Sequence, residues 1–375
     1  MKIRAAVLED MGRAPPYAAT RPLTVCDVEL APPGPNEVLV KIAAAGLCHS
    51  DLSVIDGSRP RPTPMVLGHE ASAIVVKPGA DVDEFREGDH VVLIFVPSCG
   101  RCAPCSVGRP ALCEPGAAAN AAGSLVSGAR RLSRDGTPLH HHWGVAAFAE
   151  YAIVSRRSLV RIDQDLPLDI AALFGCAVLT GVGAVVNTAR VSPGATIAVV
   201  GLGGVGLSAL LGAVAAGAGR ILAIDVAEDK LRFASELGAT DIFSATDSDT
   251  VDKIRDATGG GVDIAFEFAG SISALSLAYA ITRRGGDTVT AGLPAPNAMF
   301  SIPAVTLAAE ERTVRGSYIG AAVPSRDLPR YLSLFRRGRL PVDRLLTHRL
   351  NLDAINAGFD RLREGRAIRQ VVRFP

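Results

Sequence analysis

The spacing of apolar positions changes character near the middle of the chain. Before about residue 165, short apolar stretches such as Glu37–Ala43, Ala71–Val76 and His90–Phe95 are cut by Pro and Gly, and helix-period patterns are scarce. These stretches predict short β-strands. Beyond residue 165, apolar β-branched runs alternate with amphipathic segments. Ile197–Val200, Arg220–Ile224, Asp241–Phe243, Ile264–Phe268 and Thr288–Ala291 predict short parallel strands, with helices such as Leu207–Ala216 and Lys230–Leu237 between them. That alternation predicts a doubly wound α/β domain. Beyond about Ser317 the chain is expected to rejoin the first domain, with helices around Leu328–Arg337 and Leu352–Glu364.

Two uncharged stretches, Ile170–Ala189 and Val191–Gly219, are long enough to resemble membrane spans. Ser192-Pro193-Gly194 breaks the second with a turn, and β-branched residues and a glycine cluster follow. A buried strand, a tight turn and a buried helix account for the same residues. The N-terminus lacks an apolar stretch of signal-peptide length, so a cytoplasmic protein without membrane contact is expected. At 375 residues, two domains are expected. A net charge of +1 gives no electrostatic footprint for nucleic acid.

The run Ala198-Val199-Val200-Gly201-Leu202-Gly203-Gly204-Val205-Gly206 sets G-x-G-x-x-G between a predicted strand and a predicted helix. The first glycine permits the tight turn, the second lets backbone approach a pyrophosphate, and the third lets helix and strand pack closely. The next strand ends in Asp225, 19 residues after Gly206. A carboxylate there accepts from both ribose hydroxyls and repels a 2′-phosphate, which favours NAD over NADP.

Seven cysteines are present, and four of them, Cys99, Cys102, Cys105 and Cys113, fall within 15 residues. Thiolates at these gaps converge on a tetrahedral ion, giving a closed structural zinc site, or alternatively an iron–sulfur cluster. Cys48 and Cys176, with His69 between them, offer a three-donor set with an open fourth position, the requirement for a catalytic zinc. Read alone, the same three residues are equally two buried thiols and a core histidine.

Gly46-Leu47-Cys48-His49-Ser50-Asp51, Gly68-His69-Glu70, the Cys99–Cys113 loop, Gly175-Cys176 and Gly201–Gly206 occur in one order along the chain. In this the sequence resembles the zinc-containing medium-chain alcohol dehydrogenases, nearly end to end. The resemblance implies a GroES-like, mainly β catalytic domain over 1–177 and 320–375, and a Rossmann coenzyme domain over 178–319. It implies two zinc ions per chain. Cys48, His69 and Cys176 match the catalytic ligands, and Glu70 a near-zinc carboxylate that assists ligand exchange or makes a simple ion pair. Asp51 matches the carboxylate that orients the liganding histidine, and Ser50 the hydroxyl that takes the alcohol proton. Thr180 and Lys230 match coenzyme contacts beside the nicotinamide and the adenosine ribose, and His49 and Arg369 match pyrophosphate contacts. Phe95, Trp143, Leu293 and Tyr318 match pocket-lining positions.

One departure is Ser53, where many relatives carry a proton-relay histidine; water or His49 is then expected to take the proton onward. The bulky, mainly apolar lining implies an apolar aliphatic or aromatic alcohol rather than a polyol. A thiol-linked formaldehyde dehydrogenase is the alternative activity, disfavoured because Glu114-Pro115-Gly116 offers no cation, and a non-catalytic NAD-binding relative is a further one. The loop from Glu114 to Gly144 resembles an insertion of dimeric members, which implies a homodimer. His140-His141-His142 within it are read as packing and rim residues, because consecutive histidines rarely converge on one ion. Cys26 is read as an ordinary thiol.

Overall fold

The structure is a computed structural model and describes all 375 residues. The chain forms two compact units. The first comprises Met1–Cys176, Val323–Pro329 and Asp343–Pro375, and the second comprises Ala177–Ala322 and Arg330–Val342. The segment Arg330–Val342, expected with the first domain, therefore belongs to the second, where Asn187 Nδ2 donates to the Tyr331 hydroxyl at 3.3 Å.

In the first unit, one sheet runs in the order Leu159–Ile162, His90–Leu93, Ala71–Pro78, Glu37–Gly46, Arg369–Arg373 and Leu346–Leu350. Tyr151–Ser155 pairs with Glu37–Gly46 off this path. Alternate residues of these strands, including Val38, Val40, Ile42, Ala71, Ala73 and Val75, enter one apolar core with Phe148 and Phe359. A closed barrel forms from Lys2–Leu8, Leu23–Leu30, Leu132–Arg134, Thr137–His141 and Met65–Val66. The stretch from Glu114 to Gly144 is thus more than a loop. It contributes the helix Glu114–Ala122 and a hairpin that completes the barrel.

In the second unit, six parallel strands run in the order Asp241–Ser244, Arg220–Asp225, Thr196–Val200, Val262–Glu267, Thr282–Thr290 and Thr313–Gly316. The central strands are buried on both faces, which is why they read as apolar runs. Chain direction along the sheet reverses beside Thr196–Val200, the place where open α/β sheets bind ligands. The helix Gly204–Ala216 is nearly all buried, so the uncharged stretch is core. No single helix is long and apolar enough to cross a membrane. One bent pair, Leu168–Gly175 with Ala177–Ala189, passes by length and composition alone, and both are largely buried within the protein.

Candidate metal centres and nucleotide site

Strand pairing assembles the first centre. Glu37–Gly46 and Ala71–Pro78 are antiparallel with Ala45 opposite Ala71, so the residues just past one strand lie beside those just before the other. The Gly46 amide donates to the Glu70 carbonyl at 2.7 Å and locks the two ends together. Cys48 caps the helix His49–Ile55 beyond the first strand, and His69 and Glu70 immediately precede the second. Arg369 enters from the adjacent strand, whose Val371 lies opposite Gly46. Cys176 follows the turn Ala172–Gly175, where a side chain on Gly175 would collide with the Leu93 carbonyl.

The donor atoms of Cys48, His69, Glu70 and Cys176 lie within 4.8 Å of one another, and all four residues are buried. His69 Nδ1 bonds Asp51 Oδ1 at 3.1 Å, leaving Nε2 buried and without a protein partner. That bond makes Nδ1 the protonated nitrogen and frees the Nε2 lone pair for an ion. The Gly68 amide donates to the same Asp51 oxygen at 3.1 Å. Although burial opposes ionisation, the adjacent His69 and His142 rings hold Asp51 well below the usual carboxylate range. The Cys176 thiol and the His69 ring hold Cys48 well below the usual thiol range, and the Cys48 thiolate pushes Cys176 up. A dication resolves that conflict by accepting both as thiolates. An unpartnered imidazole nitrogen beside two buried thiols fits zinc.

Arg369, expected at a pyrophosphate, also reaches this centre. It is 4% exposed, and its Nη2 donates to Glu70 Oε1 in a short ion pair. Burial raises the Glu70 carboxyl to about 7, with Arg369 opposing. Glu70 Oε2 has no partner, so one oxygen is held and the other stays available.

Of the three histidines read as packing and rim residues, His142 packs and does not lie at a rim. The ring is fully buried, and its Nδ1 lies 3.0 Å from Asp51 Oδ1, off the line a hydrogen bond requires. Burial pushes its pKa down, as do the nearby His69 and Arg61 charges. His141 is also buried, and its Nε2 accepts from the Arg131 amide at 3.0 Å. Spacing alone carried no sign that His142 reaches Asp51, since the barrel hairpin brings it there.

Phe95 and Trp143 meet at this centre. Their ring centroids are 4.6 Å apart and lie 5.2 and 5.3 Å from the His69 ring. Leu293 and Tyr318 belong to the second unit, where both are exposed. Ser50 is half-buried on the helix after Cys48. Ser53 donates its hydroxyl to the His49 carbonyl at 2.8 Å, which ties it to the helix. His49 is exposed.

The second centre is built differently. Cys99, Cys102, Cys105 and Cys113 also place their sulfurs within 4.8 Å of one another. Backbone amides point at the sulfurs. Cys99 and Gly116 donate to Cys113 Sγ at 3.1 and 3.3 Å, and Cys102 donates to Cys99 Sγ at 3.4 Å. The Arg101 amide leads in lowering Cys99 to about 6, while burial and neighbouring thiols push Cys105 up to about 12. Four sulfurs converging without a disulfide suit a closed tetrahedral ion.

In the second unit, Gly201 adopts φ +91°, which permits the turn after the strand Thr196–Val200. A Cβ on Gly206 would stand 1.9 Å from the Gly201 carbonyl oxygen, whereas beside Gly203 the space is open. Gly203 caps the helix Gly204–Ala216, so free amides of Gly204, Val205 and Gly206 head that helix beside the open space. Asp225 is 8% exposed, and its oxygens accept from the Leu202 and Ala227 amides at 2.6 and 3.0 Å. It borders an open cavity of about 240 Å³ lined by Gly201, Val226, Ala245, Thr250 and Ala269. Thr180 is buried and Lys230 half-buried in this unit.

A barrel-bearing β unit with thiol and imidazole donors and a six-stranded nucleotide-type unit in one chain define a metal-binding dehydrogenase. Residues 34–164 match the alcohol dehydrogenase GroES-like domain, and residues 204–337 match the zinc-binding dehydrogenase family. The benzyl alcohol dehydrogenase of Acinetobacter calcoaceticus is 32% identical with a TM-score of 0.93, each chain covered in full. An alcohol dehydrogenase zinc-binding domain protein from Burkholderia ambifaria is 34% identical with a TM-score of 0.94, covering 100% of this chain and 99% of its own. A putative zinc-binding dehydrogenase from Sinorhizobium meliloti 1021, bound to NADP, is 27% identical with a TM-score of 0.81 over both full chains. The chain belongs to the zinc-dependent alcohol dehydrogenases of the medium-chain dehydrogenase/reductase superfamily, and its two units are the GroES-like and Rossmann-like domains of that fold.

Proposed function

We propose that the protein transfers hydride reversibly between an apolar, aromatic or aliphatic, alcohol and NAD, using one zinc for chemistry and a second for structure. The buried His69 Nε2 without a protein partner, in a cluster with the two thiols of Cys48 and Cys176, carries this reading. Cys48, His69 and Cys176 would hold the catalytic zinc. Such an ion supplies Lewis acidity, which takes the pKa of bound water from 15.7 to about 7 and acts on an alcohol hydroxyl in the same sense.

Asp51 fixes the His69 ring through Nδ1 and leaves Nε2 as the donor. Glu70, held on one oxygen by Arg369, keeps the other for ligand exchange. The Ser50 hydroxyl takes the alcohol proton. Because the Ser53 hydroxyl is committed to a backbone carbonyl, water or His49 carries the proton onward. Phe95 and Trp143 pack against His69 and keep water away from the reacting carbon. Cys99, Cys102, Cys105 and Cys113 would hold the structural ion.

On the coenzyme side, the amides heading Gly204–Ala216 receive pyrophosphate, and Asp225 takes the adenosine ribose hydroxyls. His49, Thr180, Lys230 and Arg369 remain proposed further coenzyme contacts. A cytoplasmic homodimer is the expected setting, and sedimentation of the purified chain checks the assembly.

The test is an absorbance assay for NADH across aliphatic, benzylic and polyol alcohols, with zinc quantified on the same sample. Turnover of benzylic or medium-chain alcohols at two zinc ions per chain is expected. Absence of turnover in zinc-replete protein sinks the reading. Asp225→Ala should lower the preference for NAD over NADP by about tenfold or more, since a repelled phosphate is worth at least 1.4 kcal/mol. An unchanged ratio removes Asp225 from that role.

A further inference from the structure

Trp143 is the one tryptophan of the chain. Its backbone is left-handed, with φ 54° and ψ 31°, an arrangement that costs a bulky residue and persists where the surroundings enforce it. The side chain is 6% exposed, and its indole Nε1 has no hydrogen-bond partner. A buried N–H left unpaired is costly, so the position gains when a ligand supplies an acceptor. The Arg61 guanidinium carbon lies 6.0 Å from the centroid of this indole. Arg61 is half-buried and makes no ion pair within the protein. Prolines at positions 60 and 62 stiffen its backbone, and its amide donates to Met11 Sδ at 3.4 Å.

Cations on a protein surface usually find an acid or stay in water. This one lies instead against the aromatic wall of the metal centre, one indole away from the His69 ring. A planar guanidinium presents paired donors that match a carboxylate, and stacking on an aromatic ring holds its plane. We propose that Arg61, together with the Trp143 indole N–H, binds a carboxylate on the substrate at the end remote from the reacting hydroxyl. This rests on the dehydrogenase reading above and narrows it. The preferred substrate is an aromatic alcohol or aldehyde that carries an acid group across the ring, and the apolar wall accepts the ring itself.

The experiment uses the full-length, zinc-loaded protein and three probes: 4-(hydroxymethyl)benzoate, 4-(hydroxymethyl)benzamide and benzyl alcohol. With a single tryptophan beside the site, intrinsic fluorescence reports binding directly, and NADH absorbance reports turnover. The benzoate should bind about tenfold to a hundredfold more tightly than the benzamide, the range of a charged hydrogen-bonded contact. Arg61→Leu should erase that difference through KM, with kcat and the benzyl alcohol values unchanged within about threefold, and Arg61→Lys should restore part of it. Equal affinity of the wild-type protein for benzoate and benzamide overturns the proposal. So does an Arg61→Leu variant that weakens all three probes alike. Oxidation of benzyl alcohol without any benzoate preference leaves the dehydrogenase reading standing and removes the carboxylate site. Tight, Arg61-dependent benzoate binding with no oxidation of any probe does the reverse.

Discussion

The two cysteine centres of the first unit share thiol donors and differ in closure. Around Cys99, Cys102, Cys105 and Cys113 every donor is a sulfur from one short loop, and backbone amides of that loop point back at the sulfurs. Around Cys48, His69 and Cys176 the donors come from three places far apart in sequence, and the fourth side chain, Glu70, is restrained by Arg369. Local donors make a self-sufficient clamp that spends all four positions on holding the chain. Distant donors, placed by two strand ends and a turn, leave a corner for exchange. The fold thus supports the open centre, and the closed centre supports its own loop.

The contrast is broken most forcefully at the open centre. Cys48→Ala or His69→Ala should lower kcat by at least about a thousandfold, because several kcal/mol of charge stabilisation are lost at 1.36 kcal/mol per tenfold. Zinc content should fall from two to one per chain, and NAD binding measured by calorimetry should persist. Retained turnover with one zinc would reverse the assignment of the two centres. A smaller effect is expected one step out. Asp51→Asn should cost about 10–100-fold in zinc affinity or activity, the usual result when the orienting partner of a liganding histidine is altered. Competition with a chromogenic chelator measures it, and an unchanged affinity means that Asp51 does not orient His69. The mildest effect on chemistry belongs to the closed centre. Cys113→Ala should leave kcat per folded molecule within about threefold but lower the thermal midpoint by roughly 10 °C, through loss of the ion that orders the loop. Scanning calorimetry with parallel kinetics checks this, and loss of kcat without loss of stability would contradict it.

These centres were unequally legible in the sequence. The Cys99–Cys113 set, the glycine turn and the parallel strands declare themselves because their residues interact locally or keep a strict period. The open centre needed resemblance, since no spacing rule links Cys48 to Cys176. The barrel was hidden because two of its strands, Met65–Val66 and Leu132–Arg134, are too short to establish a period. With the barrel went the placement of His142 beside Asp51. The pairing of Arg369 with Glu70 was hidden because the two lie 299 residues apart. Arg61 carried no signal at all, since an arginine between prolines reads as a surface turn until Trp143 is found beside it.

The strand Arg369–Arg373, which lies between Glu37–Gly46 and Leu346–Leu350, has a bearing on how the protein is made. A ribosome delivers the second unit in full by Val342, while the first still lacks an interior strand until Arg369–Arg373 emerges. Domains generally fold as units during synthesis, so the Rossmann-like unit should mature first although its partner unit begins the chain. A chain ending at Val342 should protect its nucleotide-type sheet from protease and leave Cys48 and His69 without a finished scaffold.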